Sequence, residues 1–140
     1  MTEVNTEDLL RWKQELESAW VALPPSFRND YTVRRSLQCH LYGHLRKMGH
    51  KVVADYLPPR IQDRPIDLIA VGHGNDILYA ICFDSVVTLA AVKSLMSFES
   101  ANKIIFTTAL LEKKVQESRF FLKPEIVHLH LQNPQQGRGH

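Results

Sequence analysis

A long apolar run, Ile77 to Val87 (ILYAICFDSVV), is followed by a helical pattern and then by a second run suited to a central strand, Lys103 to Thr108 (KIIFTT). Residues that are apolar at nearly every position, rather than at every second one, mark a strand covered on both faces. Between the two runs Leu89, Val92, Leu95, Met96 and Glu99 recur at helical spacing, so Thr88 to about Ser100 reads as a helix. Strand, helix, strand in this order predicts a right-handed crossover joining parallel strands. The fold class is therefore α/β, a mixed sheet with helices on its faces.

The rest of the chain fits around that unit. Thr6 to about Ala22 reads as a helix, with Thr6 as cap, Glu7 and Asp8 in the first turn, and Pro24-Pro25 ending it. Its apolar face is Leu9, Trp12, Leu16, Ala19, Trp20 and Leu23. A second helix runs from about Asn29 or Thr32 to Met48, with Val33, Leu37, Leu41, Leu45 and Met48 on one face and Gly49 as its stop. His50–Leu57 and Ile66–Val71 read as strands, Gly72–Asp76 as the turn of a hairpin, Ala109–Phe121 as a charged helix and Glu125–Leu131 as a last strand. The expected order is α-α-β-β-β-α-β-α-β in a single domain. Residues 1–27 form an N-terminal helix packing on or extending the domain of residues 28–131. Residues 132–140, polar and glycine-bearing, are expected to be a disordered tail.

No apolar run approaches the roughly 18 residues of a membrane span, and the acidic, polar start (MTEVNTEDLL) does not read as a signal peptide. Two cysteines, Cys39 and Cys82, make no disulfide framework, so a reduced, cytoplasmic setting is expected. The net charge of +2 conceals a basic middle: residues 28–64 carry eight basic and three acidic side chains. Arg34, Arg35, Arg46, Lys47, Lys51, Arg60 and Arg64 from that segment form a candidate nucleic-acid surface, and Arg28 belongs to the same run. The plainer reading of the same charges is a solvated face.

One stretch carries chemistry. Arg64-Pro65-Ile66-Asp67-Leu68-Ile69 sets a carboxylate at the start of a strand that leads through a hairpin into the buried run. With the preceding helix (SLQCHLYGHLRKMGHKVV) and the following helix and strand (LAAVKSLMSFESANKIIFTT), this order resembles the restriction-endonuclease-like superfamily and its PD-(D/E)XK motif. The resemblance spans roughly residues 31–131 and implies that superfamily's mixed sheet. It also implies a site in which an aspartate and an acid on the next strand hold a divalent metal. A lysine two residues beyond that acid faces the same side, because strand side chains alternate.

Asp67 matches the first acid, but the acid–x–lysine triplet falls on Cys82-Phe83-Asp84, and the helix position that sometimes carries a further acid falls near Ser36. Two readings follow. In one the site is degenerate, no cofactor is expected, and the chain is a nuclease-fold module. Such a module would bind DNA with little sequence preference, or a protein partner or second copy of itself. In the other, Asp67 and Asp84 hold Mg²⁺ and Lys93 supplies the cation, with Glu99 as a substitute acid, giving an active endonuclease. A third reading, from another class, is a small assembly subunit that docks a partner through its N-terminal helix, with Trp12 and Trp20 as anchors. His40 and His44 share a helix face beside Cys39, but no second ligand pair accompanies them, so helix-packing histidines are expected. His128 and His130 alternate on the last strand as its polar side. No GxGxxG, Walker, GxSxG or HExxH motif is present.

Overall fold

The computed structural model describes residues 6–97, 99–100 and 102–132. In chain order these form α1 (Thr6–Ala22), α2 (Asp30–Lys47), β1 (Lys51–Tyr56), β2 (Ile66–Val71), β3 (Ile77–Asp84), α3 (Leu89–Met96), β4 (Asn102–Thr107), α4 (Glu112–Ser118) and β5 (Ile126–His130). The strands make one five-stranded sheet in sequence order. β1, β2 and β3 pair antiparallel; β4 and β5 then add parallel to β3. The expected mixed sheet flanked by helices is therefore present, with the crossover of α3 between parallel strands.

Alternation along β3 explains its apolar run. Ile81 and Phe83 point to one face, where Leu68, Ala70, Ile104 and Phe106 meet Leu9, Trp12, Leu16 and Trp20 of α1 and Val33, Leu37, Leu41 and Leu45 of α2. Ala80 and Cys82 point to the other face, where Ile69 and Ile105 meet Ala91, Val92 and Leu95 of α3. The sheet is thus the middle of three layers. Trp12 and Trp20 are buried at 2% and 4% exposure, so they are core residues and not the surface anchors that a docking helix needs.

Several boundaries differ from expectation. β3 ends at Asp84, because Thr88 caps α3 by accepting the Ala91 N–H. α3 stops at Met96, which leaves Glu99 outside the helix and exposed, and Leu89 is solvent-facing rather than core. α4 is shorter than expected and passes into a 3₁₀ turn, Arg119–Phe121. α2 starts on a capping box in which Asn29 and Thr32 serve each other's backbone N–H. It stops at Gly49 (φ +95°), where the His50 N–H reaches back to the Leu45 carbonyl. The Gln132 backbone N–H donates to Glu17; residues 133–140, where the disordered tail was expected, lie outside the described residues. Among the described residues no helix is long and apolar enough to cross a membrane.

Candidate functional site

Asp67 stands opposite Cys82 in the register set by Leu68 and Ile81, and period two puts Asp84 on the same face. Asp67 and Asp84 therefore converge at one end of the sheet, as the strand spacing predicts. What lies between them is Arg64. Its Nη2 is 3.1 Å from Asp67 Oδ2 and 3.3 Å from Asp84 Oδ2. The same nitrogen donates to the Phe83 carbonyl, and Nη1 donates to the Pro65 carbonyl. Ser94, fully buried on α3, donates to the Arg64 carbonyl at 2.6 Å. The arginine is held at both ends.

Each acid has further structural work. The last paired residues of β2 and β3 are Leu68 and Ile81, and β3 runs on past them. Asp67 Oδ2 accepts the Phe83 backbone N–H at 2.6 Å, so this side chain stands in for the missing strand partner. Asp84 accepts from the Thr88 hydroxyl at 3.0 Å and lies 3.7 Å from Arg34. Burial pushes the Asp84 carboxyl above the ordinary carboxylate range, and the Arg64 charge and the Thr88 hydrogen bond oppose that shift. Burial pushes the Cys82 thiol up to about 12, against the nearby Arg64 charge.

A third acid joins this end of the sheet. Asp55 on β1 has φ +56°, a left-handed conformation uncommon for a non-glycine residue. Its carboxylate accepts from Arg35 and Gln38, each at 2.8 Å, and Gln38 also donates to the Asp67 carbonyl. Burial raises the Asp55 pKa, but the hydrogen bonds from Gln38 and Arg35 outweigh it and the net shift is downward. The α2 residue that reaches the site is thus Gln38; Ser36, the expected position, lines a groove between α1 and α2. The sequence carried little signal for this: Gln38 is a polar residue beside the apolar stripe, and nothing local announces that it is buried.

The expected basic surface is divided. Lys51 pairs with Val71 at the hairpin end of β1 and Tyr56 pairs with Ile66 at the other, about 17 Å away by strand rise. Arg46, Lys47 and Lys51 belong to the hairpin end, whereas Arg34, Arg35, Arg60 and Arg64 belong to the acid end. Of these, Arg64 is internal, Arg34 faces Asp84 and Arg35 faces Asp55. Lys93 makes no ion pair with either acid; it is exposed and lines a cleft with Arg60, Asp63 and Leu89.

The imidazoles have local partners. His40 Nε2 and His44 Nδ1 each lie 3.5 Å from Glu15 Oε1, tying α2 to α1. His128 Nε2 and His130 Nδ1 lie 2.8 and 3.0 Å from the buried Thr107 hydroxyl, which has one proton to donate between them. Among the described residues no group of three or more His, Cys, Asp or Glu side chains is arranged to hold a metal ion.

The divalent metal implied by the resemblance does not fit these residues. A guanidinium already pairs with both carboxylates from between them, and the third side chain on that face is a protonated thiol, a poor ligand for Mg²⁺. Compared with protein-family models, curated proteins and solved structures, the chain matches none.

Proposed function

We propose that this chain is a restriction-endonuclease-like module without phosphodiester cleavage, acting by binding nucleic acid. The observation that carries the reading is Arg64 at 3.1 and 3.3 Å from the two acids that would otherwise hold a metal. A fixed cation in that place supplies the charge balance of the acids but no coordinated water to activate. The active reading requires Arg64 to leave the buried Asp84 and the partly buried Asp67, and Lys93 to turn in from an exposed cleft. The assembly-subunit reading loses Trp12 and Trp20 to the core.

The overall charge favours an anionic partner, and the cations available for it contact phosphates rather than base edges. Binding is therefore expected to be largely independent of sequence and steeply weakened by salt. The test is fluorescence anisotropy with unrelated oligonucleotides, with Mg²⁺ and with EDTA. The reading expects similar affinities across sequences and no need for the divalent ion. A strict Mg²⁺ requirement for binding contradicts it.

A further inference from the structure

We propose that the cleft between the loop before β2 and helix α3 is the nucleic-acid contact, with Arg60 and Lys93 gripping consecutive phosphates of one strand. This rests on the nucleic-acid reading above and assigns it a surface. The assignment follows from which charges remain available. At the acid end of the sheet, Arg34, Arg35 and Arg64 are matched by Asp84, Asp55 and Asp67. Arg28 is turned inward onto the carbonyls of Val21 and Leu23. Arg60 and Lys93 have no ion pair or hydrogen bond among the described residues.

These two cations come from different elements and converge on a cleft of about 430 Å³, within the range of ligand sites. Ile61 and Leu89 give the cleft an apolar wall against which a sugar can lie, and Leu89 is 46% exposed. Leu89 and Ala90 of the cleft sit in the first turn of α3, a few residues after the carboxyl end of β3. The cleft at the hairpin end is lined by one lysine, Lys51, together with Asp76, and is the poorer match for a phosphate backbone. Asp63 also lines the proposed cleft and opposes an anion there. It provides a test of opposite sign.

The experiment is anisotropy titration of single-stranded and duplex oligonucleotides over a salt series with four chains. These are the wild type, Arg60→Ala with Lys93→Ala, Asp63→Asn, and Arg46→Ala with Lys47→Ala. All the altered side chains are exposed, so thermal melts should coincide. The proposal expects the Arg60/Lys93 variant to bind about tenfold or more weakly, with its salt slope lowered by about 1.4 to 1.8, since each lost phosphate contact removes about 0.7 to 0.9. Asp63→Asn should bind about two- to threefold tighter, and the Arg46/Lys47 variant should match the wild type. Loss of binding in the Arg46/Lys47 variant with the Arg60/Lys93 variant unchanged overturns the assignment and leaves nucleic-acid binding standing. No binding by the wild type overturns both.

Discussion

Asp67 and Asp84, on neighbouring strands, share one counter-ion: Arg64 Nη2 lies 3.1 Å from the first and 3.3 Å from the second. All three side chains are less than a fifth exposed, so neither carboxylate can turn to water for compensation. Removing the guanidinium while keeping both acids leaves Asp67 without its ion pair and Asp84 with only Arg34, at 3.7 Å. Arg64→Met should cost about 3–5 kcal/mol, read by urea unfolding. The deficit should shrink as the solution is acidified, because a protonated Asp84 carboxyl no longer needs the partner. A loss below about 1 kcal/mol would mean that the acids are compensated from elsewhere.

The partly buried His128 imidazole on β5 gives a pH prediction. Burial lowers His128 from 6.5 to about 4, with the Arg119 and His130 charges acting the same way. The folded state thus favours the neutral ring. Its contribution is present above pH 6.5 and is lost as the pH falls toward 4. Because the ring is only partly buried, the loss is about 1–2 kcal/mol rather than the full shift. His128→Gln should flatten the stability profile across that window. An unaltered slope would assign the titration to another group.

Cys39 is exposed and Cys82 is buried, with its thiol held protonated. Ellman's reagent should therefore titrate one thiol in the native protein and two in denaturant. Rapid reaction of both under native conditions would show that the face carrying Asp67, Cys82 and Asp84 opens to solvent.

Trp12 contacts Tyr79 edge-to-face at 5.1 Å inside the sheet–helix layer. Trp12→Ala should destabilise the fold by about 3–5 kcal/mol. A docking-anchor role would instead leave the melting temperature near that of the wild type, and that result would reopen the partner reading.

The sheet was legible because each of its signals is local. The apolar run before Asp84, the Gly72–Asp76 turn and the four-residue spacing of α2 each act within one element, and alternation alone puts Asp67, Cys82 and Asp84 on one face. The meaning of that face was not legible. Arg64 looks like one more member of a basic run, and only the path of the loop before β2, fixed by the distant Ser94, turns it inward. Arg34 and Arg35 likewise look like phosphate contacts until β3 and β1 bring Asp84 and Asp55 to them. Charge counted along the chain does not record which charges cancel in space.

In the proposed reading the fixed Arg64 stands where a nuclease would hold its metal, and plasmid nicking decides the matter. Supercoiled DNA is incubated with the wild-type chain and with Asp67→Ala, each with Mg²⁺ and with Mn²⁺, and relaxed product is quantified over time. The account predicts that the wild type forms no more relaxed plasmid than Asp67→Ala in either metal. Metal-dependent nicking by the wild type that Asp67→Ala abolishes would contradict it, and would return Asp67, Asp84 and Lys93 to catalytic roles.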